Sequence, residues 1–146
     1  MSDLVASQAA FQPRPSTLTA PFWDAAGQGR LALSRCPQCR QWQHPPLECC
    51  RYCATPLAPE AAPMHGLIYS STLTYHPAVP LYDPPYAVAV VEVGGSGGPR
   101  VVLRVVDSDY AAAVPGAAVR IEVRDLPGGD FTVPVAIVSC VGKECE

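Results

Sequence analysis

The chain contains two short cysteine pairs, Cys36-Pro37-Gln38-Cys39 and Cys50-Arg51-Tyr52-Cys53, separated by ten residues. A spacer of two residues lets the backbone fold into a tight knuckle in which both sulfurs reach one metal ion. The ten-residue segment returns the chain, so that both knuckles can meet at the same ion. Four thiolates form the ligand set of a structural zinc ion, and this closed set leaves no position open for catalysis. The stretch therefore predicts a zinc ribbon.

The predicted zinc ligands are Cys36, Cys39, Cys50 and Cys53. Cys49 offers an alternative, because it could pair with Cys53 across a three-residue spacer. We favour Cys50 as the third ligand, since its two-residue spacer reproduces the first knuckle. A disulfide framework is the competing interpretation of these residues. It is disfavoured because the seven cysteines are odd in number and no secretory signal accompanies them.

Other side chains near the knuckles have two interpretations. His44 could compete as a metal ligand, although four cysteines already complete the shell. Arg35, Arg40 and Arg51 could offset the negative charge of a zinc ion bound by four thiolates, because a bound ion dominates local electrostatics. The alternative is that these arginines bind phosphate.

The N-terminal segment and the absence of long apolar runs predict a cytoplasmic protein. Met1-Ser2-Asp3-Leu4 lacks the basic start and apolar core of a signal peptide. No apolar run approaches the roughly 20 residues of a membrane span. Thiols in the cytoplasm stay reduced and free to bind metal.

An N-terminal helical arm, residues 1–29, precedes the ribbon at 30–57. The arm includes a predicted short helix at 4–11. Pro21 after a threonine and Gly27 further on are start and stop signals for a second short helix. Phe22 and Trp23 are adjacent, so their rings point in different directions on a helix. We predict that one of them binds a partner; the alternative is that both pack under the arm.

Beyond a predicted linker at 54–63, the sequence indicates a five-stranded barrel over residues 64–141. Seventeen prolines and eleven glycines suit many short strands. This number of strands after a metal module indicates a Greek-key barrel of the OB type, with an SH3-like barrel or a small sandwich as alternatives. Residues 107–113 occupy the position of the helix in such barrels. The predicted strands are 66–75, 86–93, 100–106, 118–124 and 131–140.

The loop at 76–85 is rich in proline and is flanked by tyrosines. Proline stiffens the loop and removes backbone donors. The first loop of an OB barrel commonly lines a ligand or partner face. Tyr82 and Tyr86 are therefore predicted to contact a partner, whereas a mobile loop without a role is the alternative.

No catalytic motif is present: the chain lacks a Ser-His-Asp signature, His-Glu-x-x-His and a nucleotide-binding glycine loop. Zinc ribbons and OB barrels also bind nucleic acid, which makes that function the alternative. A net charge of −3 and a pI near 5.5 argue against it. A redox role for the cysteine pairs lacks a thioredoxin-like context. The chain is predicted to be a binding subunit.

The chain carries a set of motifs in this order: Phe22-Trp23, Gly29-Arg30-Leu31, both cysteine pairs with Pro45-Pro46 between them, Gly66, Pro85-Tyr86-Ala87-Val88, Pro115-Gly116-Ala117-Ala118-Val119 and Phe131-x-x-Pro134. This set resembles the acyl-CoA-associated zinc-ribbon/OB-fold family, long catalogued as a domain of unknown function. The resemblance extends from about Pro21 to Val138. Arg40 and Ala54 stand where that family often has glycine, Leu47 replaces a frequent arginine, and Cys49 is additional.

The resemblance implies a non-catalytic accessory subunit of a thiolase-superfamily enzyme, namely a thiolase, an aldolase or an acyltransferase. The catalytic residues would then belong to the partner subunit. The accessory subunit would stabilise the partner and help to form its acyl-CoA site. No residue of this chain is assigned to coenzyme A.

Overall fold

The structure, a computed structural model, describes residues 11–76 and 82–139. Most of the possible helix at 4–11 and the centre of the loop at 76–85 lie outside these residues. A search of the described ranges for a helix long and apolar enough to cross a membrane finds none.

The described residues form two compact units. The first unit contains residues 11–63 and 123–133. The second unit contains the described residues of 64–122 and 134–139.

The first unit begins with helix α1, Ala20–Gly27. Pro21 lies in its first turn, where the missing N–H costs no intrahelical hydrogen bond. The last turn closes when the backbone N–H of Gln28 donates to Ala25 O at 2.9 Å. This confirms the predicted short helix.

A three-stranded antiparallel sheet follows. Strand β1 spans Ala32–Arg35 and β2 spans Trp42–Gln43. Strand β3, Ala58–Ala61, pairs along the whole of β1, which gives the order β2-β1-β3. Leu31 and Leu33 are buried and supply the apolar core of this unit.

Strand β3 corrects the prediction of a linker at 54–63. The residues Ala58-Pro59-Glu60-Ala61 show no alternation of apolar and polar side chains, which is the usual signal for a strand. Pro59 is tolerated because β3 lies at the edge of the sheet. Pairing with β1, rather than local propensity, makes this segment extended.

Five further strands are β4 His65–Thr74, β5 Tyr86–Val93, β6 Arg100–Val105, β7 Ala118–Asp125 and β8 Thr132–Val138. They form a closed barrel in the order β4-β5-β6-β8-β7. All neighbours with described registers are antiparallel except β6 and β8, which are parallel. This closed order confirms the predicted five-stranded OB-type barrel and excludes an open sandwich.

Alternation along β5 and β6 fills the barrel interior. Ala87, Ala89 and Val91 point inward and are buried, opposite the buried Leu103 and Val105 of β6. The intervening residues face outward. This period of two is what the sequence pattern predicted.

Two short features complete the barrel. A Cβ at Gly66 would collide with the backbone carbonyl of Glu92, so the close approach of β4 to β5 requires glycine there. The helix position predicted at 107–113 holds only a 3₁₀ turn, Tyr110–Ala112, which the Asp109 side chain caps by accepting the N–H of Ala111 at 3.0 Å.

Candidate metal centre and partner-facing residues

The first knuckle is shaped by backbone hydrogen bonds around Cys36. The N–H of Cys36 donates to Gln41 O at 2.9 Å, and the N–H of Arg40 donates to Cys36 O at 3.0 Å. The N–H of Cys39 points at Cys36 Sγ, 3.4 Å away. Arg40 closes the turn in the left-handed region, at φ 62°.

The second knuckle repeats this arrangement. The N–H of Cys50 donates to Thr55 O at 2.8 Å, and the N–H of Ala54 donates to Cys50 O at 2.9 Å. The N–H of Tyr52 points at Cys50 Sγ at 3.4 Å, and Ala54 has φ 60°. The same local sequence pattern thus produces the same turn twice.

The two knuckles bring four sulfurs together. The Sγ atoms of Cys36, Cys39, Cys50 and Cys53 all lie within 4.8 Å of one another. The Cys36–Cys53 and Cys39–Cys50 sulfur pairs are each 3.5 Å apart. A zinc ion about 2.3 Å from four tetrahedral sulfurs holds them about 3.8 Å apart, so the cluster has the dimensions of such a site. Cys49 is exposed and does not belong to the cluster.

The surroundings perturb the acidity of three thiols. Thr55, through its side chain and its backbone, lowers the pKa of Cys53 to about 6. Burial raises the pKa of Cys36, but the backbone N–H groups of Cys39 and Gln38 outweigh burial and lower it. The backbone of Gln41 favours the Cys39 thiolate, yet burial and the neighbouring sulfurs prevail and raise its pKa to about 12. Repulsion among four closely spaced thiolates makes the fully ionised cluster unfavourable without a cation.

These residues fit a zinc ion by donor type, number and spacing. The grouping of the four ribbon cysteines confirms the predicted structural zinc, while their individual assignment as its ligands stays a prediction. When bound, the ion cross-links the two knuckles and neutralises part of the thiolate charge. His44 is not part of the sulfur cluster. The centre of its ring lies 6.0 Å from the centre of the Phe22 ring.

Gln43 is a component of the ribbon that the sequence interpretation missed. Its side chain is only 1% exposed, and its Oε1 accepts the backbone N–H of Arg51 at 2.9 Å. The bond links strand β2, which follows the first knuckle, to the inside of the second knuckle. No local pattern marks a glutamine for this role, because the bond spans eight residues.

Two of the arginines near the site, Arg35 and Arg40, form ion pairs within the first unit. Arg35 and Arg40 both pair with Glu60 Oε1, at 2.9 and 2.8 Å. The hydrogen bond from Arg40, followed by that from Arg35, overcomes the effect of burial and lowers the pKa of Glu60. The guanidinium of Arg35 also stacks on Trp42, 4.5 Å from the ring centre. The sequence interpretations of charge offset and phosphate binding both overlooked Glu60, which lies in β3.

Two of the aromatic residues predicted to bind a partner pack within the first unit. Phe22 and Trp23 form an edge-to-face pair with ring centres 5.0 Å apart. Trp23 also contacts the ring of Phe131 edge-on at 5.8 Å. Both side chains are half-buried, so each retains some accessible surface. Their role toward a partner stays a prediction.

The other two predicted partner residues lie in the second unit. The rings of Tyr82 and Tyr86 are 5.5 Å apart. Arg104 stacks over Tyr82 at 4.1 Å from the ring centre. The structure therefore brings the two tyrosines together and adds an arginine that the sequence interpretation did not single out.

A zinc ribbon and a closed five-stranded barrel in one chain define the class of zinc ribbon–OB-fold proteins. Residues 23–57 match the "ChsH2, rubredoxin-like zinc ribbon domain", and residues 59–124 match the "ChsH2, C-terminal OB-fold domain". A chain in the solved structure titled "Ltp2-ChsH2(DUF35) aldolase" is 30% identical, with a TM-score of 0.78 over 87% of this chain and 98% of that chain. The present chain belongs to the ChsH2 (DUF35) family.

A curated relative from Thermomonospora curvata is named "Probable enoyl-CoA hydratase alpha subunit". It is 37% identical over 100 residues, which are 66% of this chain. The match covers 31% of the relative, so this chain corresponds to about a third of that protein's length.

Proposed function

We propose that this chain is a non-catalytic accessory subunit that binds and stabilises a thiolase-superfamily enzyme, such as a thiolase, an aldolase or an acyltransferase. The observation that carries the proposal is the similarity to a chain of the structure titled "Ltp2-ChsH2(DUF35) aldolase", which covers 98% of that chain and 87% of this one. That similarity includes both the ribbon and the barrel, so the present chain has the parts needed for the same kind of assembly.

The chemistry of the metal centre supports an accessory role. Four cysteine sulfurs can occupy all four positions of a tetrahedral zinc ion, which leaves none for a substrate or an activated water. The ion would therefore act through folding rather than through catalysis. In the proposed assembly, the partner supplies the catalytic residues, and this chain contributes part of the wall of the acyl-CoA site.

Co-expression tests the proposal. The full chain would be produced with each thiolase-superfamily protein encoded by the same genome, and the purified products would be examined by native mass spectrometry with zinc counted in the same spectra. We expect a stoichiometric complex with one of these proteins, and no thiolysis or aldol cleavage of acyl-CoA by the zinc-loaded chain alone. Robust acyl-CoA turnover by the isolated chain would contradict the proposal.

A further inference from the structure

The outward face of strands β5 and β6 carries an apolar strip on the surface of the barrel. Val88 and Val90 alternate with buried residues of β5, and Val90 pairs with Val102 of β6. Val88 and Val90 are half-buried, whereas Val102 is 65% exposed. We call Val88, Val90 and Val102 the valine face. An exposed valine in the middle of a strand, beside two others, forms a contiguous apolar surface that water solvates poorly.

An arginine stacked on a tyrosine flanks the valine face at each end. Arg100 lies over Tyr69, 3.6 Å from the ring centre, and Arg104 lies over Tyr82 at 4.1 Å. The two arginines are four residues apart on β6, which places their Cα atoms roughly 13 Å apart. Stacking holds each guanidinium against the barrel and reduces the side-chain entropy that a later contact would cost.

The two arginines differ in charge compensation. Arg100 pairs with Glu92 at 3.2 Å, and Glu92 is largely buried beneath it. Arg104 forms no ion pair with any described carboxylate. Its Nε is buried and has no hydrogen-bond partner among the described residues. Because the buried Nε is closed to another chain, a partner would contact the terminal nitrogens of the guanidinium, and a carboxylate is the acceptor that fits them best.

We propose that the valine face, together with Arg104 and the flanking tyrosines Tyr69 and Tyr82, is the surface on which the partner enzyme subunit docks. A carboxylate of the partner pairs with Arg104, and apolar side chains of the partner cover the valines. This inference rests on the proposed function and assigns its interface. The composition supports it, because tyrosine and arginine around an apolar centre are the residue types that dominate binding energy at protein interfaces.

Charge complementarity favours a different protein over a second copy of this chain. In a two-fold dimer the same patch meets itself, so the uncompensated charge of Arg104 would approach its own copy. None of Val88, Val90, Val102, Arg104, Tyr69 and Tyr82 is acidic, and Glu92 is already paired with Arg100, so these residues offer a second copy no free carboxylate. An enzyme subunit that presents a carboxylate beside apolar side chains would pair with Arg104 and cover the valines.

A pair of matched substitutions tests the inference in the complex formed by the full chains. Val102→Glu places a carboxylate in the apolar centre, next to Arg104. Val114→Glu is the control, because Val114 is also an exposed valine, at 51%, but lies outside β5 and β6. We expect Val102→Glu to weaken partner binding at least tenfold in a titration by calorimetry, and Val114→Glu to change it less than threefold. Thermal unfolding of each free variant would verify that the barrel is intact.

Charge reversal at Arg104 provides the second test and does not depend on how well Val102→Glu folds. Arg104→Glu should also weaken binding at least tenfold, whereas Arg120→Glu, at another exposed strand position, should have little effect. Wild-type affinity in both Val102→Glu and Arg104→Glu would overturn the interface while leaving the proposed function standing, since the wild-type complex is measured separately. Self-association of the wild-type chain that is lost in Val102→Glu would also overturn it, because the face would then bind a second copy.

Discussion

The backbone N–H of Arg51 donates to the side-chain oxygen of Gln43 at 2.9 Å, inside the ribbon. Gln43 is almost fully buried, and its Nε2 has no partner among the described residues. One polar side chain therefore links strand β2 to the second knuckle. The bond makes the two halves of the ribbon a single unit.

Gln43→Leu should loosen the second knuckle. Loss of the acceptor leaves the N–H of Arg51 unsatisfied in a partly buried position, which costs about 1–2 kcal/mol. We expect lower stability in urea and zinc release at a lower chelator concentration. Gln41→Leu is the matched control, because Gln41 is exposed and contributes to the knuckle through its backbone carbonyl. Equal zinc retention by the two variants would show that the Gln43 bond is dispensable.

Ala54→Gly should stabilise the protein. Ala54 has φ 60°, a left-handed conformation in which a Cβ is unfavourable, and glycine relieves about 1 kcal/mol of this cost. Equilibrium unfolding at constant zinc concentration measures the change. Ala58→Gly, in extended strand β3, should instead destabilise slightly. Arg40→Gly is a less clean test, since it also removes the ion pair with Glu60.

Cys39→Ala should abolish zinc binding and, with it, binding of the partner subunit. Structural zinc affinity is folding free energy, so a ribbon with three thiolates loses much of its stability. Zinc content by native mass spectrometry, together with the complex yield, gives the readout. Cys49→Ala should behave as wild type, because Cys49 lies outside the sulfur cluster. Retention of zinc by Cys39→Ala, and its loss when Cys49 is also replaced, would identify Cys49 as a substitute ligand.

His44 should make stability depend on pH below neutrality. Burial lowers the pKa of His44 from its ordinary value of 6.5, so the unfolded chain binds this proton more readily than the folded chain. The contribution of neutral His44 is complete above about pH 6.5 and is lost as the pH falls through the lowered pKa.

His44→Gln should therefore reduce the loss of stability between pH 7.5 and 5.5, measured by urea unfolding with excess zinc. His65→Gln, at an exposed position of β4, is the control and should keep the wild-type slope. An unchanged slope in His44→Gln would exclude His44 as the origin of the pH dependence.

The features that sequence predicted well are those encoded locally. Two-residue spacers make knuckles wherever they occur, and alternation of apolar residues over 86–93 marks a strand with one buried face. Strand β3 escaped prediction because Ala58-Pro59-Glu60-Ala61 has neither alternation nor strand propensity. The segment is extended because β1 offers it a complementary hydrogen-bonding edge.

The type of metal ligand and the succession of barrel strands along the chain were determined by the amino-acid sequence alone, since spacing and periodicity act within a few residues. Tertiary structure decided which polar groups meet. Glu60 reaches Arg35 and Arg40 from 25 and 20 residues away, Gln43 reaches the N–H of Arg51, and Arg104 comes to lie over Tyr82. Such pairings depend on strand register and on which side chains remain buried without a partner. These are properties of the packed chain that no local pattern contains.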